Sequence, residues 1–344
     1  IKSENYQALN LLTNKYREKI KCCYVDPPYN TGGDGFIYKD NFQNSSWLSM
    51  IENRISFNKE LSHEEGLLFI SIDDNEQANL KQILNQIFSK ENFIAQLIWK
   101  KKSGGGNAAR FFADDHEYIL CYAKNKIILN PFFVSLSEKD KEKYRMKDEY
   151  INQRGPFLIK NLTQEGSLDE RPNLRYEILD PEGKPFLKSD GRYPQWRVEK
   201  KQFEKLLNEG RIYFNKVENK NKYFYTANTK QYLYDTIDDE GNPILRKKKP
   251  RTIIDFVITG NSKKEMGDLF GIRDHQDLLF TYAKPKELIV HLIDIGSEKN
   301  SIILDSFAGS GTTGHAVLSL NKEDGGNRKF ILVEMAEYFD TVMK

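Results

Sequence analysis

The stretch GLLFISI, Gly66–Ile72, constrains the fold more than any other in this 344-residue chain. An apolar run of this kind, without polar alternation, fits a strand covered on both faces, and such a strand belongs to a sheet flanked by helices. The neighbouring sequence supplies them. Trp47–Leu61 is read as an amphipathic helix with Trp47, Met50, Ile51, Ile55 and Leu61 on or near one face, and Glu76–Phe88 as another. Strands are predicted at Lys21–Val25, Phe93–Trp99 and Tyr118–Ala123. A short helix opens the chain, with Leu9, Leu12 and Tyr16 at helical spacing and Ser3 as its cap. This β-α-β-α-β order predicts an α/β fold with an open, largely parallel sheet.

From about Pro131 to Asn261 the composition changes. Charged residues dominate and short alternating pieces such as KYFYTANTKQYLY (Lys222–Tyr234) predict an irregular domain of small strands, with one helix over Val198–Leu207. The α/β pattern then resumes: helix Lys286–Gly296, the strand–turn–helix SIILDSFAGSGTTGHAVLSL, and a last strand in RKFILVEM. Hydrophobic content of 39% and charge of 30% describe an ordinary soluble protein with a sizeable core, and a net charge of +2 does not by itself imply nucleic acid. The three cysteines (Cys22, Cys23, Cys121) have no metal or disulfide spacing, which predicts a reducing, cytoplasmic setting. No apolar run approaches membrane-spanning length and no signal peptide opens the chain. A first residue of Ile rather than Met is read as the start of a piece of something longer.

Two motifs carry chemistry. In CCYVDPPYNTGGDGF a strand runs into Asp26-Pro27-Pro28-Tyr29. The prolines fix φ and lack N–H groups, so the chain leaves the strand in one stiff direction and Asp26 and Tyr29 are held. A site or a merely rigid turn satisfies that description. In DSFAGSGTTG, Gly309, Gly311 and Gly314 fit G-x-G-x-x-G after a strand and opening a helix. The glycines let backbone approach a ligand, the helix offers free N–H groups, and Glu334 closes the next strand where a ribose-binding carboxylate belongs. A phosphate P-loop is excluded because GSGTTG lacks its Lys. A nicotinamide dehydrogenase needs further βα units downstream. A nucleoside cofactor on a sheet completed by the upstream half remains.

DPPYNTG upstream of DSFAGSGTT, with a charged insertion between them, resembles the amino-group DNA methyltransferases. The order, catalytic motif first and glycine motif last, is similar to the beta class of adenine-N6 enzymes. IKCCYVDPPYNTGGDGFIYKDNF, GLLFISIDDNE and HEYILCYAKN look most like the modification subunits of type III restriction–modification systems. The resemblance implies a Rossmann-like, circularly permuted methyltransferase sheet, with residues 1–130 as its catalytic half and 266–344 as its cofactor half. Between them, 131–265 would be an inserted target-recognition domain. It implies S-adenosylmethionine as donor, an adenine rotated out of double-stranded DNA as target, a homodimer, and association with a helicase-nuclease restriction subunit.

On that resemblance, Asp26, Pro27, Pro28 and Tyr29 are catalytic. The Asp26 carboxylate, which also lies in the donor site, and the Pro27 carbonyl accept from the target amine, and Tyr29 stacks on the base. Phe307, Gly309 and Gly311 form the loop over the donor, Glu334 takes its ribose hydroxyls, and Asp305 lies near its methionine part. Thr312 caps the following helix or touches the donor carboxylate. Lys284-Pro285 match the family's final cofactor motif, on the methionine side. Asp73-Asp74 is read as a helix cap and His116 as structural, and no metal is predicted. Phosphate contacts are expected from Lys100, Lys101, Lys102 and Arg110 around a glycine loop and from Lys247, Lys248, Lys249 and Arg251 in RKKKPR, a solvated loop or linker being the alternative for each. Cytosine-N4 transfer uses the same proline-proline geometry, though Asp rather than Ser at position 26 favours adenine. A catalytically silent DNA-binding module and, more remotely, a dehydrogenase are the readings of other classes.

Overall fold

In the first strand, β1 (Ile20–Val25), alternate side chains enter two different cores, and this sets the architecture. A computed structural model describes residues 1–31, 44–104, 110–164, 171–219, 222–237, 241–272, 280 and 282–343. These form two compact units, Ile1–Val134 with Lys249–Lys344, and Ser135–Lys248.

In the first unit, Cys23 and Val25 of β1 pack with α1 (Asn5–Tyr16), α2 (Asn44–Leu61) and α3 (Gln77–Phe88) through Leu9, Trp47, Ile51, Ile55, Leu80 and Leu84. Cys22 and Tyr24 face the opposite layer, where Leu288, Ile289 and Leu292 of α5 (Lys286–Gly296) and Ala316 and Val317 of α6 (Thr312–Asp324) are buried. The strand β2 (Ser62–Ile72) splits the same way and is buried continuously from Leu67 to Ile72, so the unalternated apolar run is a strand covered on both faces. All three cysteines are buried free thiols, used as small apolar side chains.

The sheet has seven strands in the order β5-β3-β4-β2-β1-β6-β7. Here β3 is Phe93–Lys100, β4 His116–Ala123, β5 Ile253–Ile254, β6 Ile302–Asp305 and β7 Lys329–Leu332. Among these only β4 runs against the others, so the expected largely parallel α/β sheet is what forms. No helix among the described residues is long and apolar enough to cross a membrane.

The helix caps differ from those the sequence suggests. Helix α1 is capped by Glu4, whose side chain accepts from the Gln7 N–H at 3.1 Å, and not by Ser3. The expected cap Asp73-Asp74 is not one either. Asp73 closes a turn on Asn75, Asp74 accepts from the Tyr118 hydroxyl at 2.9 Å, and Glu76 occupies the cap position of α3. Ser, Asp and Glu all offer a side-chain acceptor there, and tertiary partners decide which is used.

The second unit holds an antiparallel three-stranded sheet of Phe157–Asn161, Lys222–Tyr232 and Ile212–Asn219. A separate core forms around fully buried Trp196, with Leu162, Ile178, Phe203 from the helix Lys200–Asn208, and Ala227. The expected insertion 131–265 extends past this unit; β5 and the helix α4 (Thr259–Phe270) from its end belong to the first.

Candidate active site

The turn that follows β1 is held from several directions. Pro27 and Pro28 are buried, and the fully buried Trp47 of α2 donates its indole N–H to the Pro28 carbonyl at 2.8 Å. Asn30 takes a left-handed conformation (φ 60°), which asparagine tolerates better than most residues. Its amide donates to Glu76 Oε1 at 2.8 Å, and Glu76 is itself buried. Gly32, Gly33 and Gly35, which follow in the motif, lie outside the described residues. Replacing Trp47 with Phe keeps most of the packing and deletes the bond to Pro28. We expect a loss of about 1–3 kcal/mol in urea unfolding, because a buried carbonyl is left without its donor.

The side chains projected by this turn form one ionic cluster. Asp26 Oδ1 accepts from Lys284 Nζ and from the Tyr29 hydroxyl, both at 2.9 Å. Among the described residues the other oxygen, Oδ2, makes no hydrogen bond. The single Tyr29 proton is shared between Asp26 Oδ1 and Glu117 Oε2, which lies 3.1 Å from the hydroxyl, and the hydroxyl oxygen accepts from Lys284 at 2.8 Å. Glu117 Oε2 lies 3.4 Å from the same ammonium. Burial pushes the Asp26 carboxyl up, Lys284 opposes that shift, and Glu117 adds to it. Burial works against the Lys284 ammonium, yet the Asp26 and Glu117 carboxylates overrule it and hold its pKa above the ordinary value. Burial first, then Asp26 and Glu117, raise the Tyr29 phenol, so Tyr29 keeps its proton.

The neighbouring strand end is the second half of the site. β6 pairs with β1 in parallel, with Tyr24 opposite Asp305, so both chains turn out of the sheet at the same edge. Asp305 is buried and accepts from the Phe307 N–H at 3.0 Å and from the Thr313 hydroxyl. Burial raises its pKa to about 7 despite those bonds, and Asp26 adds to the rise. Gly309 and Gly311 both have left-handed φ, +53° and +80°, which a side chain would strain. The Gly309 N–H donates to Glu334 Oε2 at 2.9 Å, while Glu334 Oε1 accepts from Met335 and Ala336. Gly314 serves packing: a Cβ there would sit 3.1 Å from Leu332 Cδ1 and 3.3 Å from Phe330 Cε2 on β7.

Asp26, Pro27, Pro28, Tyr29 and Lys284 therefore meet in one cluster, and Asp305, Phe307, Gly309, Gly311 and Glu334 build the adjoining turn. Lys284, expected on the methionine side of a donor, has its ammonium on the Asp26 carboxylate, and Pro285 is the cap position of α5. Thr312 is the first residue of α6 and bonds Ser310 at 2.9 Å; its neighbour Thr313 is the one that reaches Asp305. Sequence reasoning missed Glu117 and the anchoring role of Trp47. The available signal for Glu117 was a carboxylate near the start of an otherwise apolar strand, β4, whose last five residues are all buried.

The basic residues differ in their surroundings. Lys100, Lys102, Arg110, Lys247 and Arg251 are exposed. Lys101 points instead at carboxylates, 2.7 Å from Asp114 and 3.7 Å from Glu117. Lys248 is paired with Asp140, and Lys249 lies 3.9 Å from the centre of the Phe133 ring. The glycine loop beyond Gly104 lies outside the described residues as far as 109. Phe111 and Phe112, next to Arg110, are 82% and 96% exposed.

Residues 20–344 match the N6_N4_Mtase family, described as DNA methylase. The chain belongs to this DNA methylase family. The EcoPI Mod subunit, a type III restriction-modification enzyme subunit of Escherichia phage P1, is 31% identical over 98% of the methylase chain and 57% of its own length. The StyLTI Mod subunit of Salmonella typhimurium is 31% identical over 99% of this chain and 53% of its own. The type II methyltransferase M.KpnI of Klebsiella pneumoniae is 28% identical over 96% and 79%. The methylase chain thus spans rather more than half the length of the type III relatives it matches. Among solved structures, an M1.HpyAVI–SAM complex aligns with all of the methylase chain at 14% identity and a TM-score of 0.42.

Proposed function

We propose that the protein transfers a methyl group from S-adenosylmethionine to the N6 amino group of adenine in double-stranded DNA, as the modification subunit of a type III restriction–modification system. The observation that carries this reading is the parallel pairing of β1 with β6, which sets the Asp26–Tyr29 turn beside the Gly309–Gly311 turn at the carboxyl ends of adjacent strands. Open α/β sheets bind ligands at such an edge. The residues fit the donor: a backbone turn that excludes side chains at Gly309 and Gly311, and two buried carboxylates, Asp305 and Glu334, suited to a cation and to hydroxyls. Phe307, Gly309, Gly311 and Glu334 would hold it. When bound, the donor supplies an electrophilic methyl group on a sulfonium.

This chain's residues prepare the nucleophile. The lone pair of adenine N6 is delocalised into the ring. Acceptors aimed at its two N–H bonds, the Asp26 carboxylate and the Pro27 carbonyl, make the nitrogen more tetrahedral and return density to it. Preorganised dipoles of this kind act most strongly in a closed site. The Lys284 ammonium opposes the rise that burial imposes on Asp26 and so favours its ionised, accepting form. Tyr29, its hydroxyl held, offers a ring face to the rotated base, replacing base stacking worth about 1–3 kcal/mol. The proton that N6 must give up on methylation would pass to the Asp26 carboxylate, whose Oδ1 already carries Lys284 and Tyr29.

On this reading Ser135–Lys248 is the target-recognition unit, the exposed residues Lys100, Lys102, Arg110, Lys247 and Arg251 meet phosphates, and the protein works in the cytoplasm as a homodimer with a restriction subunit. The test is nucleoside mass spectrometry of DNA treated with the protein and donor. N6-methyladenine supports the proposal; N4-methylcytosine, which the same family name covers, or no modified base overturns it.

Asp305 gives a pH prediction. A cation bound beside it favours its ionised form, so donor binding below the group's pKa of about 7 releases a proton. Donor affinity measured by calorimetry should rise from about pH 6 to pH 8. In Asp305→Asn the part of that rise owed to this group should vanish.

A further inference from the structure

We propose that Glu117 is a positioning residue of the transfer site, steering the Tyr29 hydroxyl and the Lys284 ammonium onto Asp26 Oδ1 so that Oδ2 stays open to the target amine. The inference rests on the function proposed above. Its geometry is independent of any ligand. Asp26 Oδ1 carries both protein donors at 2.9 Å, and Oδ2 carries none among the described residues. Glu117 Oε2 touches the same two donors, Tyr29 at 3.1 Å and Lys284 at 3.4 Å. The side chains of Lys284 and Glu117 are only 13% and 14% exposed, so both charges are largely withdrawn from bulk water.

A buried ammonium draws every acceptor within reach, because an uncompensated charge in a protein interior is costly. With Asp26 alone for company, Lys284 would seek both carboxylate oxygens, and the Tyr29 hydroxyl would compete for them. Glu117 supplies a second acceptor on the far side and so confines both donors to one oxygen of Asp26. Its own remaining oxygen faces Lys101 at 3.7 Å, whose ammonium is in turn 2.7 Å from Asp114. These contacts fix Glu117 from the other direction. It reaches the site from β4, far in sequence from either motif.

The charged and titratable groups facing Asp26 are Lys284, Tyr29, Glu117, Tyr24 and Asp305; Lys101, Tyr24 and Asp73 face Glu117, and Asp114 faces Lys101. Glu117 raises the Asp26 pKa and Lys284 lowers it. Two substitutions therefore push in opposite directions, which a merely structural role does not predict. We would follow the Asp26 carboxyl carbon by NMR in the donor-free protein, and methyl transfer against pH, in wild type, Glu117→Gln, Glu117→Asp and Lys284→Met.

Glu117→Gln should lower kcat on the order of 10- to 100-fold through misorientation, leave donor affinity unchanged, and move the Asp26 midpoint down. Lys284→Met should move that midpoint up, and Glu117→Asp should recover part of the rate. An unchanged kcat in Glu117→Gln, or midpoints that stay put or move together, overturns the inference. If wild type transfers no methyl group to DNA while the two midpoints still move apart, the arrangement around Asp26 stands and the proposed function fails.

Discussion

Replacing Asp26 with alanine should lower kcat on the order of 10²–10³-fold, the usual cost of deleting one preorganised group aimed at developing charge. Donor affinity should be nearly unchanged. On the proposed reading the carboxylate faces the amine, whereas the donor's hydroxyls and backbone contacts belong at the next strand end. The fold should survive, because Lys284 retains Glu117 at 3.4 Å and the turn keeps its Trp47 and Asn30 anchors. Asp26→Asn keeps an acceptor oxygen but loses the charge, so it should retain more activity than the alanine variant. Transfer of labelled methyl groups, with calorimetry of the donor alone, checks both halves. A parallel loss of donor binding would mean that Asp26 belongs to the donor site rather than to the amine.

The complementary result is expected at Glu334. Its two oxygens accept the N–H groups of Gly309, Met335 and Ala336, so the carboxylate shapes the glycine turn and, on the proposed reading, is positioned for the donor's hydroxyls. A hydrogen bond to a charged group contributes about 1.5–3 kcal/mol. Glu334→Ala should therefore weaken donor binding by about 10- to 100-fold. Saturating donor should restore much of kcat, since the groups around Asp26 are untouched. Glu334→Gln, which keeps one acceptor oxygen, should fall between. Opposite signatures in the two variants, one in kcat and the other in donor affinity, are what a divided site requires. The same defect in both would contradict it.

Much of this site was legible because its motifs sit at strand ends, and strand ends follow from periodicity. The unalternated Leu67–Ile72 run required helices on both faces, and the Cys22–Val25 and Ile303–Asp305 strands then had to lie in one sheet. What periodicity does not encode is which distant side chains complete a cluster. Glu117 lies 88 positions from Tyr29, and Lys284 lies 258 from Asp26. Only the placing of antiparallel β4 beside β2, and of the start of α5 above the sheet edge, brings them in. The caps failed for a related reason: Ser3, Glu4, Asp73 and Asp74 all carry an oxygen that could accept a helix N–H, and Tyr118 and Asn75 claimed two of them while Ser3 donates to the Glu4 carbonyl. Residues 135–248 revealed their small strands but not their use, because the residues that serve a binding surface follow no period.

The most direct measurement is a crystal structure of the protein with a non-reactive donor analogue and a duplex carrying its target adenine. The purine should be found out of the helix against Tyr29, its N6 about 3 Å from Asp26 Oδ2 and from the Pro27 carbonyl, an ordinary hydrogen-bond length. The analogue should lie over Gly309–Gly311 with its hydroxyls on Glu334. An adenine still stacked in the duplex, or an amine turned away from Asp26 while the analogue occupies the glycine turn, would contradict the account.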